Sequence, residues 1–306
     1  MNDRVAPRSS VRLFDAHAHF FTNDIARYPI DTSKAREGEE QLRERVMRAP
    51  GTVEETFGLW DATGVLAGAA VQFNNVYKTD NSYTLDIADR HRDRITAIVI
   101  LDATIASTPD QLRTFGRTRN VSGVRLVGYR GERGDYPWLD SPAALRTWEA
   151  AGELGVAVDL MYRPPDLFEE ALPRICALAR RFPHVPIIVD HCGFPVWTDA
   201  ANHGLSPWHL ALAELPNIFL KLTTINLQRF RERGESGADF VRHWVSAFGP
   251  DRIMWGSDVG NSRAPYAAMV EMAIAATAAL GPDERDKILY RNAMNLLDRY
   301  ADKDKR

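Results

Sequence analysis

Eight short apolar runs, separated by helix punctuation at intervals of about one βα unit, predict an α/β chain folded as a (β/α)8 TIM barrel. The barrel is expected to fill residues 1–306 as a single domain, with an insertion after the first strand. The runs are VRLFDAHAH, VLAGAAVQF, RITAIVILD, SGVRLVGY, GVAVDLMY, VPIIVDH, IFLKLTT and RIMWGSD. From the second onward their starts lie roughly 27 to 34 residues apart. Closure removes the edge strands that an open sheet of this size leaves exposed. The residues after the first run, DAHAHFFTN, are also not the glycine-rich phosphate loop of an open doubly wound sheet.

The punctuation is chemical. Thr52-x-x-Glu55 and Thr108-Pro-Asp-Gln111 read as capping boxes. Ser141-Pro142 and Ser206-Pro207 place proline at a first helical position, and Gly249-Pro250 and Gly281-Pro282 read as stops. The first unit is longer than the rest. Its polar stretch, residues 22–50, leaves the carboxyl end of the first strand, so it is expected to form a lid.

Composition narrows the function. Of the 306 residues 45% are hydrophobic and 26% charged, which supplies one large core. Lysine and arginine number 38 against 41 acids, for a net charge of −3, so no long-range field favours nucleic acid or an anionic membrane. The expected partner is a small-molecule substrate, with homo-oligomerisation left open. Cys176 and Cys192 sit in no CxxC or disulfide-rich context, MNDRVAPRSS has no apolar signal segment, and AAMVEMAIAATAAL carries Glu271 and is too short to span a bilayer. A soluble, cytoplasmic protein is expected.

In a parallel barrel the carboxyl ends of the strands surround one mouth. His17 and His19, two residues apart, point the same way, with Asp15 below them. The sixth run ends in His191, the eighth in Asp258, the seventh in Lys221 and Thr223, the fourth in Arg125, and the second near Asn74. Singly, His191 reads as a hydrogen-bonded structural residue and Asp258 as a helix cap. Together they read as a reactive centre. Arg125, between Val124 and Leu126, should enter the barrel and needs an anion, either an internal carboxylate such as Asp159 or a substrate carboxylate. Lys221 carries the same ambiguity. Trp197 lies in a loop after the sixth run, where it could line the pocket or simply pack.

FDAHAHFF at 14–21, GVRLVGYR at 123–130, IIVDHCGFP at 187–195, IFLKLTT at 218–224 and RIMWGSD at 252–258 resemble the amidohydrolase superfamily. Within it they are similar to the amidohydrolase-2 group of barrel hydrolases, related to 2-pyrone-4,6-dicarboxylate lactonase and sugar lactonases. The resemblance implies opening of a lactone of a small, carboxylate-bearing substrate. Asp258 would take a proton from the attacking water, and His17, His19 and His191 would polarise the carbonyl. Arg125, with Tyr162, Lys221, Arg130 and Asn74, would bind the substrate. The fifth run, VAVDLMYRPP, lacks the histidine that many metal-dependent members carry, which speaks against a binuclear centre. A single zinc on His17, His19 and Asp258 fits a catalytic zinc pattern. Similar lactonases work without metal, and that mode is the one expected here. The alternatives are a metal-dependent decarboxylase of the same branch, an amide hydrolase, and a barrel without catalysis.

Overall fold

The computed structural model describes residues 11–128, 130–132, 134–162, 168–195 and 202–298. Eight parallel strands pair in sequence order: β1 (Leu13–Ala18), β2 (Val65–Val71), β3 (Ile95–Ile100), β4 (Val121–Gly128), β5 (Ala157–Tyr162), β6 (Ile187–Val189), β7 (Ile218–Thr223) and β8 (Ile253–Gly256). The ring is brought round by a parallel bridge from Ala18 to Val259, and by the Asp258 amide donating to the His17 carbonyl at 2.7 Å. The strands are apolar nearly throughout because helices cover one face and the barrel interior the other. Eight strands leave an interior that side chains fill, so polar groups found inside are there against the packing preference.

Local chemistry sets the helix ends. The helix Val53–Thr63 begins with a reciprocal capping box between Thr52 and Glu55 and stops at Gly64, whose φ of 80° is the left-handed conformation glycine favours. Ser141 and Ser206 cap the helices Pro142–Leu154 and Pro207–Ala213, and Gly249 ends Gly237–Phe248. Two boundary expectations need correction. Thr108 is inside its helix rather than capping it, and its hydroxyl donates to the Asp102 carbonyl at 2.5 Å. Gly281 starts the short helix Pro282–Asp286 instead of stopping the preceding one, which has already ended at Thr277.

Large aromatic side chains fill the layer between sheet and helices: Trp60, Trp148, Trp244 and Trp255 are fully buried. Trp208 stays partly exposed at 39%. Cys176 and Cys192 are buried free thiols. The insertion after β1 is an irregular segment followed by the helix Glu39–Arg48, which buries Leu42 and Val46. No helix among the described residues is long and apolar enough to cross a membrane.

Candidate active site

A cavity of about 540 Å³ opens at the carboxyl ends of the strands. His19, Asn74, Arg125, His191 and Asp258 line it, along with Phe73, Met161 and Phe194. His17 lies just beneath, fully buried, with Nε2 3.3 Å from Nε2 of His19. The HxH pair, His191 and Asp258 therefore meet at one floor, although they come from β1 and the turns after β6 and β8.

The backbone at these turns is unusual. His191, Cys192 and Phe194 have φ of 52°, 53° and 52°, and Asp258 has φ of 60°. Non-glycine residues pay conformational energy there, and such strain concentrates at functional sites. The surroundings hold it in place. Asn226 Nδ2 donates to the His191 carbonyl at 2.8 Å. Asp15, fully buried, accepts from the backbone amides of His17 (3.1 Å) and Ser257 (2.8 Å) and from the hydroxyls of Ser257 (2.6 Å) and Tyr266 (2.9 Å). That one carboxylate staples β1 to the segment that presents Asp258.

Hydrogen-bond partners fix the tautomers of His19 and His191. A carbonyl only accepts, so His19 Nδ1–H donates to Val71 O at 2.8 Å, leaving a lone pair on Nε2. His17 Nδ1 lies 3.3 Å from Asp190 Oδ1, a charge contact rather than a hydrogen bond, so it leaves the His17 tautomer open. Thr223 gives its hydroxyl proton to Asn226 Oδ1, so at 2.8 Å it accepts from His191 Nδ1–H. Burial holds His17 well below the ordinary histidine range and lowers His191, with Asp190 opposing in both cases. Both are neutral near pH 7. His191 thus turns an unprotonated Nε2 toward the site, and His17 and His19 share one hydrogen bond between their Nε2 atoms at 3.3 Å.

The Nε2 atoms of His17 and His19 converge with a carboxylate oxygen. Asp258 Oδ1 lies 3.4 Å from His19 Nε2 and 3.6 Å from His17 Nε2. Its partner Oδ2 accepts from Asn261 Nδ2 and Ser262 Oγ, both at 2.9 Å, whereas Oδ1 has no hydrogen-bond donor among the described residues. Zinc bonds of about 2.0–2.2 Å imply tetrahedral edges of about 3.3–3.6 Å between ligand atoms, which the three observed separations match. His17, His19 and Asp258 therefore fit a divalent cation.

Beneath the floor sits a cluster of four buried charges. Arg125 donates through Nε (2.9 Å) and Nη2 (2.5 Å) to Asp190 Oδ2, and Lys221 Nζ pairs with Asp159 and lies 3.4 Å from Asp190 Oδ1. Burial opposes ionisation of Asp190, but Arg125 and Lys221 outweigh it and hold its carboxyl well below the usual range. Asp159 moves the other way, to about 7, through burial and repulsion from Asp190 that Lys221 and Arg125 offset only in part.

This arrangement corrects several expectations for substrate binding. Lys221 is fully buried and committed to carboxylates, so it does not line the cavity. Tyr162 is buried too, and its hydroxyl donates to the Gly193 carbonyl at 2.6 Å. Arg130 is exposed beyond β4 and is not part of the lining. Arg125 does reach the cavity, yet its main anion is Asp190, with Asp159 at 3.8 Å. Trp197 lies outside the described residues. Contributors that were missed include Asp190, whose signal was its place directly before His191, Asn261 and Ser262, which follow Asp258 and hold it, and Arg36 and Arg229, whose segments carried no motif.

A structural histidine below the site gives a pH test. His209 Nε2–H donates to the Gly193 carbonyl at 3.3 Å, and Nδ1 accepts from the Ser206 amide at 3.1 Å. Burial lowers its pKa to about 4, so the unfolded chain binds this proton first as pH falls below about 6.5. Stability present above that pH is then lost toward pH 4, at a slope of up to about 1.4 kcal/mol per pH unit. Urea unfolding at pH 7.5 and 5.5 should show a larger drop for the wild type than for His209→Gln, which keeps an amide donor but does not titrate. Equal drops would contradict the assignment.

Comparison with known proteins identifies the family and the fold. Residues 14–299 match the family model described as amidohydrolase. The chain is 27% identical over 256 residues to L-fucono-1,5-lactonase of Burkholderia ambifaria, covering 78% of this chain and 83% of that protein. It is 31% identical over 210 residues to 4-sulfomuconolactone hydrolase of Rhizobium radiobacter, covering 67% of this chain and 65% of that protein. In fold it is similar to a zinc-bound amidohydrolase from Burkholderia multivorans, with a TM-score of 0.68 at 19% identity, covering 94% and 99% of the two chains. With the barrel, its strand-end histidines and a family match over nearly the whole length in agreement, this chain belongs to the amidohydrolase family and is a hydrolase.

Proposed function

We propose that the protein opens a lactone ring by attack of a water whose proton passes to Asp258, acting on a small substrate that bears a carboxylate. The observation that carries this reading is the Oδ1 of Asp258, buried at the cavity floor without a hydrogen-bond donor among the described residues and facing two imidazole Nε2 atoms. An ionised carboxylate in that position can take a proton from an attacking water, although the pull of burial is outweighed by the neighbouring histidines, which hold its carboxyl below the usual range. Its second oxygen is held by Asn261 and Ser262, which fixes the direction of the first.

His17, His19 and Asp258 would hold a single divalent cation, zinc being the best match to the donor set. Bound there, it would supply Lewis acidity toward the ring carbonyl and acidify water. The remaining work falls to the chain itself. Asp190 orients His17, Val71 orients His19, and Thr223 orients His191. Phe73 stacks on His19 at 4.8 Å between ring centroids and 13° between planes, which with Phe194 gives the pocket apolar walls. Arginines on the lining favour an anionic substrate. The segment 22–50 supplies Arg36 to that lining, which supports its reading as a lid.

A proton-release assay over a panel of carboxylated and neutral lactones tests the proposal. Turnover of carboxylated lactones, with no carbon dioxide released from aromatic acids, is expected. Carbon dioxide release without lactone opening would transfer the site to the decarboxylase alternative.

A further inference from the structure

By default Thr223-x-x-Asn226 is a helix start. Asn226 is the third residue of the helix Thr224–Glu232, and its Oδ1 accepts from the Thr223 amide at 3.0 Å, as in a capping pair. Two further bonds exceed that role. Asn226 Nδ2 donates to the His191 carbonyl at 2.8 Å, 35 positions away in the chain. The Thr223 hydroxyl lies between Asn226 Oδ1, at 3.2 Å, and His191 Nδ1, at 2.8 Å. All three residues are buried. The result is a closed circuit, from the His191 ring through Thr223 and Asn226 back to the His191 backbone.

The circuit has a direction. A backbone amide only donates and a backbone carbonyl only accepts, so Thr223 N–H and His191 C=O decide which end of the Asn226 side chain is oxygen and which is nitrogen. The Thr223 hydroxyl, otherwise free to rotate, then gives its proton to Oδ1 and turns a lone pair to the ring. A ring protonated on Nε2 would oppose two lone pairs at a buried contact, which low polarity makes costly. The same amide steadies the left-handed turn at His191 and Cys192, with φ of 52° and 53°. One side chain thus helps to set both where the ring stands and which nitrogen carries its proton. Asn226 does not line the cavity, so it acts only through His191.

We propose that Asn226 is a positioning residue that keeps the His191 proton on Nδ1, so that Nε2 meets the cavity as a hydrogen-bond acceptor. In the lactonase reading, on which this clause rests, the acceptor holds one O–H of the attacking water while the other proton passes to Asp258. The hydrogen held by His191 stays on the oxygen that adds to the carbonyl, and no bond to the ring forms or breaks. The nucleophile is aimed before it reacts.

Two-dimensional NMR of protein isotope-labelled at its histidine nitrogens reads the tautomer without requiring turnover, the His191 signals being identified by their loss in His191→Gln. The wild type should carry the proton on Nδ1. Thr223→Val keeps the shape but strands an Nδ1–H without an acceptor, so the ratio of tautomers should move toward Nε2–H by about tenfold or more. Asn226→Ala, which frees the hydroxyl to turn round, should move it in the same direction. Thr223→Ser keeps the hydroxyl and should stay within about twofold of the wild type. In lactone turnover Thr223→Val should lower kcat by about tenfold with little change in KM, and Thr223→Ser should restore most of it. If Asn226→Ala does not fold, Thr223→Val decides alone. An Nε2–H ring in the wild type, or an unmoved ring in either variant that folds, overturns the inference and leaves Asn226 a helix cap. Equal losses of kcat in Thr223→Ser and Thr223→Val would overturn it too, since packing rather than the hydroxyl would then matter. The expected tautomers with no lactone opened would refute the lactonase reading and leave the positioning role standing.

Discussion

Asp258→Asn lowers turnover by about 10²-fold or more, while the protein stays folded. Asparagine tolerates the left-handed backbone at this position, where φ is 60°, and its side-chain oxygen can still accept from Asn261 or Ser262. What it loses is the negative charge and the basic oxygen that face His17 and His19 at 3.6 and 3.4 Å. Initial rates in the proton-release assay, beside a thermal melt, separate the two effects. Wild-type turnover in this variant would remove Asp258 from the chemistry. A collapsed melt would instead place its main value in holding the loop after β8.

Lys221→Met costs about 3–5 kcal/mol of stability, because it breaks a fully buried ion pair and leaves its partners uncompensated. Methionine fills much of the same volume, so cavity formation is a small part of the loss. Asp159 and Asp190 would then face each other without the lysine between them, and Asp159, already near 7, would take up a proton. Lys221→Met combined with Asp159→Leu should recover most of the stability, since replacing both members of a buried pair with apolar groups is often close to neutral. Urea unfolding midpoints of the two variants measure this. A single variant within about 1 kcal/mol of wild type would show that the cluster carries little net energy. The same variant should disturb catalysis through Asp190, which also contacts Lys221 and orients His17.

The barrel was readable because its signals are local and repeated. Each strand is a short apolar run, each helix begins or ends with a capping side chain, and the spacing allows one βα unit between runs. The reactive floor was readable for a related reason: strand-end residues such as His17, His19, His191 and Asp258 converge once closure is granted. Side-chain allegiance was not readable. Nothing in GVRLVGY says that Arg125 turns to Asp190 from the next-but-one strand, and nothing in IFLKLTT says that Lys221 is consumed by Asp159. Such pairings depend on three-dimensional neighbours separated by 65 and 62 positions. Tautomers belong to the same class. Only the contacts of Val71 and Thr223 show which ring nitrogens of His19 and His191 are engaged away from the cavity. Arg36 and Arg229 were hidden because they lie in polar segments whose direction over the mouth no periodicity encodes.

Elemental analysis of the purified protein, paired with lactone turnover before and after exhaustive chelation, bears most directly on the convergence of His17, His19 and Asp258. One divalent ion per chain, activity lost on its removal and restored by added zinc, is the predicted result. Full turnover from a chain stripped of metal would contradict it.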